Sequence, residues 1–213
     1  MIEVIPGIGP QKEFGEITRR VALVASHVDW VQIDFADNTL VPNETFLKFD
    51  QFGSLIAKYP NLSFEAHLMV DYPEKYIRPL VDAGFKRLIA HVEANDPRHF
   101  LDAVQYESVE VGLAIDGATE FNEIESFLDA IDVALVMTIE AGASGSPFLP
   151  ETVEKIRTIH QNFPDLSIEV DGGINEQTVK LVKEAGATRI VSTSYLFGDP
   201  QNIASVIERL KNA

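Results

Sequence analysis

Short apolar runs rich in β-branched residues alternate along the chain with longer segments whose apolar positions recur at helical period. The runs lie near residues 2–6 (IEVIP), 30–35 (WVQIDF), 63–70 (SFEAHLMV), 87–93 (RLIAHVE), 110–115 (EVGLAI), 133–139 (VALVMTI), 167–171 (SIEVD) and 189–194 (RIVSTS), and each predicts a strand. The segments between and after them predict helices near 12–27, 44–59, 74–83, 96–106, 120–129, 150–162, 176–185 and 200–211. Start and stop signals support several of these. Asn43 precedes the second helix, Pro73 opens the third, Gly84 and Gly186 follow the third and seventh, and Asn175 precedes the seventh. Strict strand–helix alternation implies a parallel sheet. Eight units imply an α/β fold of the closed (β/α)8 TIM-barrel type, because open doubly wound sheets usually stop at five or six strands. No linker or low-complexity stretch interrupts the pattern, so residues 1–213 read as a single barrel domain.

Polar residues break the apolar runs where a barrel would place its chemistry. Gln32 and Asp34 are two positions apart on the second strand and therefore share a face. His67 falls on the third strand, His91 and Glu93 on the fourth, Asp116 and Glu140 just after the fifth and sixth, and Asp171 at the end of the seventh. In a barrel these strand ends converge on one axis. Taken singly, each residue can be a buried polar group satisfied by its neighbours. Taken together, Asp34, His67 and Asp171 form a donor set for a divalent cation, to which Gln32 can add a neutral amide oxygen. His91 reads as a support for that set, and His27, His99 and His160, on helices or their ends, as solvated or interfacial groups.

Glycine placement adds a second signal. "EAGASGS" (140–146, with Gly142 and Gly145) follows the sixth strand, "VDGGIN" (170–175, with Gly172 and Gly173) the seventh, and "STSYLFG" (192–198) spans the eighth strand and its exit. Glycines at strand-to-helix turns let backbone N–H groups approach a phosphate, and such a site after the last two strands recurs in this barrel class.

Composition narrows the partners. The chain carries 33 acidic and 17 basic residues, a formal charge of -16, with no run of one sign. Nucleic acid and anionic membrane are both bound through clustered Lys and Arg, so neither is expected as a partner. The absence of cysteine excludes disulfides and thiolate chemistry. No apolar run approaches membrane-spanning length, and "MIEVIPGIGP" lacks a basic segment followed by a long apolar one, so a cytoplasmic location is expected.

Several of these segments also carry a family signature. The strand-two motif His-x-Asp-x-Met-Asp-Gly-x-Phe-Val-Pro-Asn of the ribulose-phosphate 3-epimerases aligns with Gln32, Asp34, Ala36, Asp37, Asn38, Leu40, Val41, Pro42 and Asn43. "AHLMVDYPEKYI" (66–77), "LVMTIEAGASGSPFLPETVEKIR" (135–157) and "VDGGINEQT" (170–178) are similar to the family's strand-three, strand-six and strand-seven motifs. The chain resembles that family over essentially its whole length. The resemblance implies a metal-dependent enzyme of carbohydrate metabolism that interconverts D-ribulose 5-phosphate and D-xylulose 5-phosphate in the pentose phosphate pathway. Asp34 and Asp171 take the positions of the two proton carriers, and Gln32, Asp34, His67 and Asp171 those of the metal ligands. Met69 and Met137 match methionines that pack around the enediolate. The family commonly forms dimers or larger rings, so a homo-oligomer is an expectation here too.

The chain departs from the family at defined positions. Gln32 replaces a histidine ligand, leaving one nitrogen and three oxygens, a set that shifts preference among manganese, iron, zinc and magnesium away from zinc. Gly7 stands where the family has a serine near the substrate, and Ala36 replaces the third methionine. Residues 141–146 replace Pro-Gly-Phe-Gly-Gly-Gln, Thr193 and Ser194 replace Gly-Ser, and Asn38 and Thr39 replace Gly-His. Three readings follow: an epimerase on the pentose phosphate, an epimerase or enolising enzyme on another ketose phosphate such as a ketohexose 6-phosphate, or a non-catalytic sugar-phosphate-binding homologue.

Overall fold

The computed structural model describes residues 2–143 and 145–213. Its eight strands are β1 (Glu3–Pro6), β2 (Trp30–Ala36), β3 (Ser63–Met69), β4 (Arg87–His91), β5 (Glu110–Ile115), β6 (Val133–Met137), β7 (Ser167–Asp171) and β8 (Arg189–Ser192). All neighbours pair in parallel, in the order β1-β8-β7-β6-β5-β4-β3-β2. β1 and β2 close the circle through a parallel bridge from Gly7 to Gln32, where the Ile8 amide donates to the Gln32 carbonyl at 2.8 Å. The fold is the (β/α)8 barrel that the alternation implies.

The helices are α1 (Phe14–Val24), α2 (Phe52–Lys58), α3 (Glu74–Ala83), α4 (Pro97–Val104), α5 (Asn122–Glu125), α6 (Thr152–Asn162), α7 (Thr178–Ala185), α8 (Ser194–Phe197) and α9 (Ile203–Asn212). Outward-facing strand residues bury against them. Around β2, the ring of Phe35 meets Phe52 and Phe85 at centroid separations of 5.5 and 5.8 Å. Inside the barrel, Ile89, Ala114, Leu135, Met137 and Ile139 form a separate apolar cluster. Below it lies a charged layer. Arg87, fully buried, pairs with Glu65, reaches Glu169 at 3.5 Å and Glu110 at 2.8 Å, and stacks its guanidinium 4.0 Å from the Trp30 ring.

Two helix expectations need correction. The segment at 44–59 is helical only from Phe49, first as a 3-10 turn and then as α2. Before it the chain is tied to β2: the Ala36 amide donates to the Thr45 hydroxyl at 3.0 Å and Thr45 N–H returns to the Ala36 carbonyl at 2.9 Å. Asn43 therefore caps nothing, and its side-chain amide donates to the Gly142 carbonyl across the mouth. The 120–129 helix is reduced to α5 and a 3-10 turn. A short helix not anticipated, α8, follows β8 directly. The other signals hold: Gly84 and Gly186 end α3 and α7 in the left-handed region, and Asn175 Oδ1 accepts from the Gln177 and Thr178 amides at 2.8 and 3.2 Å.

Candidate functional site

Register brings the polar set together. Asp34 and His67 are direct partners in the β2–β3 ladder, and Asp171 ends β7 on the far side of the axis. Gln32 lies one strand repeat below Asp34 and is fully buried. Its Nε2 donates to Asp34 Oδ1 and to Asp171 Oδ2, both at 2.8 Å, so one amide joins the two carboxylates. His67 Nδ1 faces the same centre, 3.1 Å from Asp34 Oδ1 and 3.8 Å from Asp171 Oδ2. One ligand atom from each of Asp34, His67 and Asp171 falls within 4.8 Å of the others, the spacing of a cation site. Behind His67, its Nε2 lies 2.8 Å from His91 Nε2, and His91 Nδ1 lies 3.0 Å from Glu93 Oε2. The exposed His27, His99 and His160 take no part.

Burial and charge set the protonation of this centre. Loss of water around Asp171 and the neighbouring charge of Asp34 push its carboxyl up to about 7. Burial works against the imidazolium of His67, but the hydrogen bond and charge of Asp34, with the charge of Asp171, outweigh it and hold His67 above its usual range. Protons thus compete for Asp171 below about pH 7, and for His67 through a range raised above that of an ordinary imidazole. The sign follows: a divalent cation must displace the Asp171 and His67 protons at acid pH and finds both groups free at alkaline pH. Manganese(II) titrated calorimetrically is expected to bind about tenfold or more tightly at about pH 8 than at about pH 6, releasing more protons at the lower pH. Equal affinity without proton release would refute this coupling.

A cleft opens above the centre. Asp34, His67, Asp171, Met69 and Met137 form one end, and Gly142, Gly145, Gly172, Gly173, Thr193 and Ser194 the other. These expected site residues are thus brought to one cavity. Gln32 and Gly7 are not on its wall, because Gln32 lies beneath the carboxylates and Gly7 beneath Thr193. A β-carbon at Gly7 would sit 2.3 Å from Thr193 Oγ1 and 2.8 Å from Val191 Cγ1. Thr193 and Val191 thus fill the space that a side chain at position 7 would need. Ser144, within the altered strand-six loop, lies outside the described residues.

Other wall residues carried no sequence signal. Pro10, Ile139, Ile174 and Val191 line the cleft but read as ordinary loop or core positions. Thr138 falls inside an apolar run, yet its hydroxyl donates to the Gly172 carbonyl at 2.5 Å and so ties the sixth and seventh loops together. At Gly172, φ is 120° and a β-carbon would lie 2.5 Å from Ile139 Cγ1, so glycine is required at this close approach. Among the described residues no helix is long and apolar enough to cross a membrane.

Comparison with known proteins places this architecture. Residues 6–197 match the model of the ribulose-phosphate 3 epimerase family. The chain is 32% identical over 201 residues to the cytoplasmic isoform of ribulose-phosphate 3-epimerase from Oryza sativa subsp. japonica, covering 91% of this chain and 86% of the relative. It is 30% identical over 208 residues to the ribulose-phosphate 3-epimerase of Mycobacterium leprae, covering 94% and 92%. Among solved structures, 3-hexulose-6-phosphate synthase from Salmonella typhimurium superposes with a TM-score of 0.75 at 15% identity, covering 99% of this chain and 97% of the other. KGPDC from Streptococcus mutans gives 0.73 at 15% identity, covering 100% and 96%. At such identities the two structures support the fold alone. The family match and the two sequence relatives agree: this chain belongs to the ribulose-phosphate 3-epimerase family and is an epimerase.

Proposed function

We propose that the chain epimerises D-ribulose 5-phosphate and D-xylulose 5-phosphate at C3, with Asp34 and Asp171 as the two proton carriers. The observation that carries this reading is the placement of both carboxylates at one centre, joined through Gln32 Nε2 at 2.8 Å to each. Inversion at a single carbon needs a base on one face and an acid on the other. In one direction Asp34 takes the C3 proton as a carboxylate, and Asp171 as a carboxylic acid gives its proton to the opposite face of the enediolate. The reverse reaction exchanges their roles. Asp171, poised at about 7, supplies both charge states near neutrality. The sugar's phosphate lies at the other end of the cleft, against the turns at Gly142, Gly145, Gly172 and Gly173 and against Thr193 and Ser194.

The donor set also fits a divalent cation, held by Asp34, His67 and Asp171. Gln32 Oε1 is buried without a hydrogen-bond partner, and a half-turn of the amide would exchange it with the nitrogen that now faces the carboxylates. Gln32 is thus suited to serve as a donor that joins the carboxylates, or as a neutral oxygen ligand. When bound, such an ion would supply positive charge beside the enediolate oxygen, and with one nitrogen among mostly oxygen donors manganese, magnesium or iron suits the site better than zinc.

The test is proton NMR of D-ribulose 5-phosphate in D2O with the purified protein, with and without added metal. Loss of the C3 proton signal and growth of D-xylulose 5-phosphate is the expected result. No exchange on the pentose phosphate, but exchange on a ketohexose 6-phosphate, would move the substrate to the second reading, which the Thr193 side chain and the altered strand-six loop favour. No exchange on either would refute catalysis.

A further inference from the structure

We infer that Glu93 and His91 form a positioning relay that keeps a proton on His67 Nε2, between the two imidazoles, and so turns Nδ1 toward Asp34 and Asp171. Three contacts carry this. Glu93 Oε2 lies 3.0 Å from His91 Nδ1, His91 Nε2 lies 2.8 Å from His67 Nε2, and His67 Nδ1 lies 3.1 Å from Asp34 Oδ1. Both imidazoles are 1% exposed, so water cannot substitute for either partner. The ring centroids are 5.0 Å apart with the two Nε2 atoms 2.8 Å apart, so the rings meet end to end, nitrogen to nitrogen.

The directions follow from what each atom can do. A carboxylate only accepts, so His91 Nδ1 carries the proton that Glu93 binds. A neutral imidazole has one donor and one acceptor, so His91 Nε2 is left as a lone pair. Two lone pairs at 2.8 Å repel, so His67 Nε2 must carry the proton between the rings. His67 Nδ1 is then the nitrogen left to face the two carboxylates, as a lone pair in the neutral ring or with a second proton in the imidazolium.

Glu93 is well placed to start this chain. Its side chain is 23% exposed, and its second oxygen accepts the Asp116 amide at 2.8 Å, which holds the carboxylate in orientation. Neither Glu93 nor His91 lines the cleft, so both act through His67 and not on a bound molecule. The consequence for the site is specific. In neutral His67, Nδ1, Asp34 Oδ1 and Asp171 Oδ2 are all acceptors pointing inward, and only a proton, the Gln32 amide or a metal ion can satisfy them. A histidine that orients a ligand histidine through its other nitrogen is the imidazole counterpart of the carboxylate–histidine pairs found behind metal ligands.

This inference shares its site with the proposed function, but its tests use ring tautomers and metal affinity, with no substrate and no turnover, so it stands or falls separately. Protein carrying 15N-labelled histidine is examined by long-range 1H–15N correlation at about pH 9, where ordinary imidazoles are neutral. The expected spectrum shows His67 protonated at Nε2 and His91 protonated at Nδ1 with a bare Nε2. In Glu93→Gln, whose amide can either donate or accept, both rings are expected to become mixtures of tautomers, and manganese(II) affinity is expected to fall about 10- to 100-fold. A wild-type His67 bare at Nε2 would overturn the relay without recourse to any variant. So would a Glu93→Gln protein with unchanged tautomers and unchanged manganese affinity.

Discussion

Asp34→Asn is expected to lower kcat for C3 epimerisation by about 10²- to 10⁴-fold, the usual weight of a positioned general base. Asparagine keeps the size of the side chain and an oxygen for the Gln32 amide, so the barrel should remain folded while the proton carrier is lost. Asp171→Asn should be as damaging to net epimerisation. The two variants are distinguished by isotope exchange in D2O. Each retains one carboxylate, and that group can remove the C3 proton from the face it serves and return a deuteron to the same face. Each variant is therefore expected to wash deuterium into one epimer without converting it, and the two variants should choose opposite epimers. Retention of more than about a tenth of wild-type kcat in either variant, or exchange into the same epimer by both, would refute the two-carboxylate arrangement.

The barrel was legible because each β-strand is a short apolar run and each gap has helical period, and burial on both sheet faces demands that pattern. The site was legible for a related reason. Polar residues at strand ends stand out against apolar runs, and eight-fold closure leaves them one place to point. What the sequence concealed falls into two kinds. One is long-range contact between loops: Asn43 looks like a helix start, but its amide is used by the Gly142 carbonyl 99 positions away. The other is the orientation of groups within a correctly placed set. Gln32 reads as an oxygen ligand; its Nε2 lies between Asp34 and Asp171, and a half-turn of the amide presents the oxygen instead, a choice that no residue pattern encodes. The Gly7 departure also became intelligible only in three dimensions. Loss of a side chain just after β1 is matched by Val191 on β8 and Thr193 just beyond it, which occupy the same volume. A pairing between residues 7 and 193 depends on barrel closure, which local pattern cannot display.

Arg87→Met is expected to cost about 3–5 kcal/mol of stability near neutral pH, the range for removing one partner of a buried ion cluster. The guanidinium is wholly buried beneath the apolar layer and answers Glu65 and Glu169 inside the barrel and Glu110 at its edge. Burial raises the carboxyls of Glu65 and Glu169, most strongly that of Glu169, and Arg87 is the main influence opposing the rise at Glu65. Without it, both groups stay protonated to higher pH in the folded chain. A folded state that binds more protons than the unfolded one gains stability as pH falls, so the deficit of the variant should shrink toward about pH 5. Urea unfolding at the two pH values measures this directly, and a loss below about 1 kcal/mol at both would show that the layer contributes little. Replacing Glu65, Arg87 and Glu169 together by Leu, Met and Leu should recover most of the loss, since an apolar set leaves no charge unpaired. Catalysis need not recover with it. Glu65 and Glu169 stand one strand repeat below His67 and Asp171, so a repacked layer that restores the unfolding midpoint can still shift the two side chains on which proton transfer depends.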